Sequence, residues 1–261
     1  NTNASALFAM IGSDAQSDYA EVKNLQFTNV DITHTLGSGD VIGTLAGEVN
    51  GFVKVENIAV LNGAITVNGG ITNNGKSGDL IGVGGIVGQT RTNTSAAQIS
   101  HLYNAASVTV SEDVANEQPR CGGIIGRIHQ NSVIGSLTSA VNKGEVLFKG
   151  NLGYAVNGCS EAGNTGAAAN TSNIINCFYL DGSGEDMGAS TAKTEAELNS
   201  QTTVDALGGE YWTLQNGALA LQMSLGVALT PIPSPEFAQG DRASSVTKDF
   251  TLPLSFVSEE G

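Results

Sequence analysis

Residues Gly84-Gly85-Ile86-Val87-Gly88 form a short apolar box between glycines, and the chain repeats this box. The best second copy is Cys121-Gly122-Gly123-Ile124-Ile125-Gly126. Looser copies are Ala9-Met10-Ile11-Gly12, Thr44-Leu45-Ala46-Gly47 and Tyr154-Ala155-Val156-Asn157-Gly158, so the final glycines recur about every 32 to 41 residues. Periods of this length are typical of solenoids and propellers.

A second apolar stretch follows each box, so two features return in a fixed order. In these stretches Val, Ile, Leu and Thr alternate with polar residues over four to six positions, which is a strand period. They cover residues 22–32, 55–67, 99–110, 139–146 and 173–180. Asn-Gly, Gly-Asp and Ser-Gly pairs mark turns, so each copy predicts three short strands.

One copy alone cannot bury its apolar face, whereas stacked copies can, because each aliphatic side chain then rests on its counterpart in the next copy. The sequence therefore predicts an all-β fold, a parallel β-helix or β-solenoid of about five coils. The crossover rule for parallel strands favours a right-handed path. Differences in repeat length predict loops at 68–80, 90–97, 111–119 and 159–172.

The pattern changes near residue 190, which predicts three regions: solenoid repeats over 1–190, a small α/β cap over 191–225, and a tail or linker over 226–261. Thr194 is placed to cap a helix that runs to about Leu207 and stops at Gly208-Gly209. Asn216-Gly217 predicts a hairpin turn after Trp212, the only tryptophan. Because an open coil exposes apolar residues and strand edges, we expect this cap to close the end of the stack.

The composition is glycine-rich and acidic, with 34 glycines and a formal net charge of −14. Such a charge disfavours nucleic acid and anionic lipid as partners. The chain starts Asn1-Thr2-Asn3 without a basic, hydrophobic leader, and no apolar run approaches the roughly 18 residues of a membrane span. We expect any export signal or membrane anchor to lie outside these residues.

The two best boxes resemble the GLUG motif, a Gly-Gly-[Leu/Ile]-[Val/Ile]-Gly box with an Asn/Gly/Val element about 15 to 20 residues later. The ending is similar to the close of GLUG arrays in surface proteins of Bacteroides-type bacteria: Asn176-Cys177-Phe178-Tyr179-Leu180, Thr194-Glu195-Ala196-Glu197-Leu198 and Tyr211-Trp212. The resemblance covers roughly residues 7–221. It implies a β-helix-type fold and an exported, adhesin-like protein on the bacterial cell surface, and it supplies no catalytic residues.

Cysteine and histidine give no metal motif. Cys121, Cys159 and Cys177 form no zinc spacing. Cys159 and Cys177 allow a bridge, and buried free thiols are the alternative. His34, His101 and His129 are far apart, and we interpret them as structural or exposed, although stacked coils can still assemble a Ser/His/Asp site from distant residues.

Polysaccharide-active β-helices cluster carboxylates on one sheet face, often with Arg or Lys, and this is the enzyme alternative. Here the acidic residues fall mostly in predicted corners: Asp40, Asp79, Glu112, Asp113, Asp181, Glu185 and Asp186. The repeats hold only the arginines Arg91, Arg120 and Arg127. We therefore expect no enzyme activity and no catalytic residues.

Two further features have a binding interpretation beside a structural one. Acidic and hydroxyl oxygens of Asp181, Ser183, Glu185 and Asp186 alternate on a glycine-rich turn, which predicts a weak calcium site, the one cofactor considered. Tyr103, Phe178 and Tyr179 recur near one place in the repeat, where interior stacking is favoured over a sugar-stacking platform.

The favoured hypothesis is a non-catalytic cell-surface adhesion or binding domain, whose partner is a host or bacterial surface glycan or protein. A solenoid offers a long face for many weak contacts, without chemistry. The alternatives are a glycan-active β-helix enzyme and a structural stalk of a larger surface protein.

Overall fold

The computed structural model describes residues 4–13, 19–37, 39–69, 80–91, 97–114, 120–128, 136–157, 173–186, 188 and 190–223. By its contacts the chain divides into Asn1–Ser224 and Leu225–Gly261, and every described residue belongs to the first unit. Most of the predicted loops at 68–80, 90–97, 111–119 and 159–172 lie outside the described residues, as does the tail after residue 225. The predicted domain boundaries stay predictions.

The chain is a parallel β-solenoid, as predicted, but each of the first four coils has four strands where three were predicted. The first coil has β1 (Ala4–Ser5), β2 (Phe8–Ile11), β3 (Ala20–Phe27) and β4 (Val30–Thr35). The second has β5 (Asp40–Ile42), β6 (Ala46–Val49), β7 (Val53–Val60) and β8 (Gly63–Asn68). The third has β9 (Leu80–Gly84), β10 (Val87–Thr90), β11 (Gln98–Asn104) and β12 (Ser107–Val110). The fourth has β13 (Cys121–Gly122), β14 (Ile125–Ile128), β15 (Ser136–Asn142) and β16 (Val146–Phe148).

The fifth coil is irregular, which agrees with the weakness of the fifth box in the sequence. After β17 (Asn151–Leu152), which pairs antiparallel with β16, single bridges join Tyr154 to Gly122 and Asn157 to Ile125. Strands β18 (Ile174–Ile175) and β19 (Phe178–Leu180) then pair with β15. Strand β20 (Thr191–Lys193) pairs with β19 and begins a further turn.

Equivalent strands stack into four parallel sheets, here called sheets I to IV. Sheet I is β1-β5-β9-β13, sheet II is β2-β6-β10-β14, sheet III is β3-β7-β11-β15-β19-β20 with β18 also paired to β15, and sheet IV is β4-β8-β12-β16 with the antiparallel β17 at its edge. Aliphatic residues lie in register between coils, for example Val55, Ile99 and Leu137 in sheet III. The predicted stacking of matching side chains is therefore confirmed, and the right-handed path stays a prediction.

The stack has two apolar interiors. Sheets II and III enclose one, with Ile58, Ile86 and Leu102 among its fully buried members. Sheets I and IV enclose the other, which contains Ile42, Ile65 and Val108. The last glycine of the third and fourth boxes lets sheet II lie directly on sheet I: a Cβ at Gly88 would be 2.8 Å from the Ile42 nitrogen, and one at Gly126 would be 2.4 Å from the Val83 nitrogen.

The strands of sheet III bend at one residue in every coil. This residue has a left-handed backbone, with φ between 53° and 58°, and the set is Asn24, Asn57, His101, Ser139 and Asn176. Asparagine tolerates this conformation better than most residues, which explains its recurrence at this place. Beyond the bend, Ala59, Tyr103 and Val141 form an apolar row that faces away from the interior and needs cover.

The C-terminal segment covers that row, so the predicted cap packs against the side of sheet III, and closure of the end of the stack stays a prediction. Helices α1 (Glu195–Leu198) and α2 (Gln201–Leu207) and the hairpin β21 (Trp212–Gln215) and β22 (Ala218–Leu221) lie along the side of sheet III. One helix was predicted, and Asn199 and Ser200 divide it in two. Thr194 caps α1 with Glu197, and the hairpin turns at Asn216-Gly217 as predicted. We call residues 194–223 the lateral brace.

Trp212 anchors the lateral brace. It is fully buried, its Nε1 donates to Nδ1 of His101 at 3.3 Å, and its ring meets Tyr103 edge-on at 6.3 Å. The Tyr211 ring stacks on His101 at 3.8 Å, and burial lowers the pKa of His101. At the far end, Asn57 Nδ2 donates to the carbonyl of Gln222 at 3.1 Å. The brace thereby joins the second coil to the third and fourth.

Candidate functional site

The outer face of sheet IV carries three rows of small side chains, all of them polar except Ala64. Ile65, Val108 and Val146 point into the interior from three neighbouring strands. Because side chains alternate in direction along a strand, the residues next to them on each strand face outward. In the central row, Thr33, Thr66 and Thr109 pair from strand to strand. One flanking row is Asp31, Ala64 and Ser107, and the other is Thr35 and Asn68. All of these residues are partly or fully exposed. We call this surface the hydroxyl face.

The hydroxyl face is close to neutral, since Asp31 is the one charged residue in these rows. Its threonines repeat at the strand spacing of about 4.8 Å. In the fourth coil Leu147 takes the threonine position and is partly exposed, so the central row ends there. The face can therefore offer hydroxyl donors and acceptors at a regular interval to an extended partner.

The corner beside the hydroxyl face is held by Asp113. Its carboxylate accepts from the Ser111 hydroxyl and from the backbone N–H of Gly69, the latter at 2.9 Å. These hydrogen bonds lower the pKa of Asp113, and the one from Ser111 has the largest effect. This acidic residue therefore fastens two coils together.

Residues Ser5, His34 and Asp40 form a hydrogen-bonded chain across three strands of the first two coils. Ser5 Oγ is 2.8 Å from His34 Nδ1, and His34 Nε2 is 2.7 Å from Asp40 Oδ2. The Gly37 N–H also donates to Asp40 Oδ2 at 2.5 Å. Asp40 was predicted in a corner, and it is the first residue of β5, directly after Gly39, and only 1% exposed.

A buried polar row crosses sheet II. Glu48, Gln89 and Arg127 are stacked in register and all buried. Gln89 Nε2 donates to Glu48 Oε1 at 2.5 Å, and Arg91 Nη1 donates to Glu48 Oε2 at 2.8 Å. Arg120 is partly exposed. Arg91 thus supports a neighbouring coil, which gives it a structural role.

The predicted calcium segment has side chains in different environments. Ser183 is buried, whereas Asp181, Glu185 and Asp186 are exposed. Asp186 Oδ1 accepts from the backbone and hydroxyl of Ser190, at 3.0 and 2.7 Å. Over the described residues, no group of three His, Cys, Asp or Glu side chains is arranged to hold a metal ion. Calcium binding here stays a prediction to which this geometry adds no support.

The aromatic candidates are occupied by packing. Tyr179 lies in the interior between sheets II and III, and Tyr103 and Phe178 lie under the lateral brace. Burial raises the pKa of Tyr103 to about 12. Lys193 Nζ lies 4.6 Å from the centre of the Phe178 ring. The interior stacking favoured from the sequence therefore describes Tyr179, whereas Tyr103 and Phe178 pack outside the interior, against the lateral brace.

The thiols are also structural. Cys121 and Cys177 are free and buried, which agrees with the alternative of buried thiols, and a bridge from Cys159 stays a prediction because Cys159 lies outside the described residues. Burial raises the pKa of both thiols to about 12, which leaves little reactive thiolate. Cys159, His129 and Asp79 lie outside the described residues.

The fold and these surfaces define a β-solenoid protein with an open polar face. No family model matches the chain, and no curated protein and no solved structure matches it. The likeness to GLUG repeats rests on the motif residues alone. Over the described residues, no helix has the length and apolar character to cross a membrane.

Sequence reasoning missed both the hydroxyl face and the Ser5–His34–Asp40 chain. The hydroxyl face has a readable signal, since Thr33, Thr66 and Thr109 each stand between two apolar or aromatic residues of a strand. The Ser5–His34–Asp40 chain has none, because Ser5 and His34 are 29 residues apart and meet only through the stacking of coils.

Proposed function

We propose that this chain is a cell-surface binding domain, of the adhesin-like kind, that holds its partner on the hydroxyl face. The observation that carries the proposal is the exposure of threonines in register on three successive coils. The partner is a surface glycan or protein. The net charge of −14 argues against nucleic acid and anionic membranes.

The physical basis is the addition of weak contacts along a rigid array. One hydroxyl contributes little, because its hydrogen bonds with water are exchanged for similar bonds with a partner. A pre-ordered row loses little conformational entropy on binding, so several such contacts sum to useful affinity. Since threonine has few rotamers on a strand, the hydroxyl face is well ordered before binding.

The first test is a binding screen of residues 1–261 on glycan arrays and host-matrix proteins, followed by face variants. We expect Thr66→Glu with Thr109→Glu to weaken binding of the partner found by at least about tenfold, or about 1.4 kcal/mol. Each outward change is expected to alter stability by about 0.5 kcal/mol, and repulsion between the two paired carboxylates adds a cost of up to about 1 kcal/mol. The matched control is Gln98→Glu with Ser136→Glu, which are also direct partners, on the outer face of sheet III.

Two results would contradict the proposal. One is the absence of any bound glycan or protein above background with the folded wild-type chain. The other is equal loss of binding in the control and in the face variant, because a general charge effect would then explain the loss.

The lateral brace favours a second role as a load-bearing stalk. It ties the second, third and fourth coils together through Asn57, His101 and Val141, so a pull along the stack is shared. In single-molecule pulling, this role requires the coils to resist force until the brace detaches. Coils that peel off one by one at low force would count against it.

A further inference from the structure

With Asp40 as a carboxylate and His34 as a neutral ring, the Ser5–His34–Asp40 chain has one consistent set of hydrogen-bond directions. An ionised Asp40 can only accept, so His34 Nε2 must carry the proton that it donates to Asp40 Oδ2 at 2.7 Å. In the neutral ring, His34 Nδ1 is then an acceptor. Ser5 Oγ, at 2.8 Å, therefore donates its proton to Nδ1.

This direction makes His34 a base for Ser5. A serine hydroxyl is a weak nucleophile until an adjacent base takes its proton, and the base works best when a third group orients it. Asp40 is that orienting group: it is almost fully buried and also held by Gly37 N–H. Relative to the serine hydrolases, the two ring nitrogens exchange partners, while the roles stay the same.

We infer that Ser5 is an activated nucleophile that accepts acyl groups from esters, an activity separate from binding on the hydroxyl face. Ser5 Oγ forms a bond to the acyl carbon while its proton passes to His34 Nδ1. The tetrahedral intermediate expels the alkoxide, which takes that proton and leaves as the alcohol. Water, deprotonated by His34, then attacks the acyl-serine, and the acid is released as Ser5 regains its proton. Ser5 and His34 are the catalytic residues, and Asp40 is a positioning residue.

The surroundings favour an apolar acyl group. Leu7 and Phe8 lie two and three residues after Ser5 in the first coil, and each is more than a third exposed. His34 is only 17% exposed, so solvent reaches its ring from a limited direction. We therefore expect a butyryl ester to react faster than an acetyl ester.

The experiment uses residues 1–261 with a fluorophosphonate probe and p-nitrophenyl butyrate. Intact mass is expected to show one adduct per chain, which peptide mapping places on Ser5, and Ser5→Ala removes it. Gln can keep both hydrogen bonds of His34 but is not a base. His34→Gln is therefore expected to slow labelling and ester hydrolysis by at least about 10²-fold, the usual range for general-base catalysis.

The controls separate reactivity from folding. Ser100→Ala removes another partly exposed serine and is expected to label like the wild type. His34→Gln is a valid test only if it keeps the circular dichroism spectrum and melting temperature of the wild type. If it does not, the comparison of mapped adducts in the wild type and Ser5→Ala decides whether Ser5 is the nucleophile. No adduct on folded wild-type protein, an adduct at another residue, or unchanged labelling in a folded His34→Gln chain overturns the inference.

Discussion

Gly123→Ala is expected to destabilise the solenoid by at least about 3 kcal/mol, a large part of the ~5 to 15 kcal/mol of a typical domain. A Cβ at this position would lie 2.2 Å from the Ala155 carbonyl oxygen and 2.2 Å from Asn142 Cγ. The Ala155 carbonyl oxygen belongs to the backbone of the next coil, so it cannot rotate away from the added methyl group. The measurement is urea unfolding followed by far-UV circular dichroism.

Gly209→Ala is the matched control for this substitution. A Cβ at Gly209 meets only Val204 Cγ1, at 3.9 Å, so the added methyl group fits. We expect its unfolding midpoint to stay close to that of the wild type. A Gly123→Ala chain that unfolds at the same urea concentration as Gly209→Ala would show that coils four and five are not packed as described.

The closeness of Asn142 to Gly123 explains why the apolar box and the second apolar stretch occur together in the repeat. The buried side chain of Asn142 accepts from Asn104 Nδ2 at 2.8 Å and donates to the Gly144 carbonyl at 2.7 Å. Asn104 makes the same contact with Gly85 that Asn142 makes with Gly123. The glycine of the box therefore provides the space for the asparagine amide of the second element.

Trp212→Ala is expected to cost about 3 to 5 kcal/mol, because a fully buried indole leaves a large cavity. The loss falls on the lateral brace, which meets sheet III mainly through this ring and its neighbours. Hydrogen exchange is the direct measurement: amides of β21 and β22 lose protection, and so do those of β11 under the brace. Because Trp212 is the only tryptophan, circular dichroism must report the unfolding.

Trp212→Phe is the control, since it keeps most of the apolar volume and loses the hydrogen bond to His101. It is expected to cost clearly less than alanine. Equal protection of the hairpin in wild type and Trp212→Ala would mean that the lateral brace is not anchored by this residue.

The sequence predicted the stack because its signal is local and repeated: an apolar box, a strand period and turn residues recur in order. It did not predict four strands per coil. Strand β13 is only Cys121–Gly122, and it runs into β14 through Gly123 and Ile124, so the two strands look like one apolar stretch. The side-on position of the brace was also missed, because the outward row of Ala59, Tyr103 and Val141 depends on the bend in sheet III.

The hydroxyl face and the Ser5–His34–Asp40 chain differ in how far the sequence could reveal them. Thr66 and Thr109 occupy the same place in successive repeats, so an alignment of the repeats shows their row. Ser5 lies on β1 in sheet I and His34 lies on β4 in sheet IV, so their hydrogen bond joins two sheets. No rule of residue spacing predicts a contact between two sheets.

The in-register stacking of coils is tested most directly by a cysteine pair, Thr66→Cys with Thr109→Cys. These residues are direct partners on adjacent parallel strands, and their Cα separation of about 4.8 Å permits a disulfide. The comparison pair is Thr66→Cys with Ser107→Cys, on the same face but two residues out of register, about 8 Å apart by strand geometry. Mild oxidation followed by peptide mapping should give an intramolecular disulfide in the first pair and little in the second. Equal yields from both pairs, or a disulfide in the second pair only, would contradict the solenoid described here.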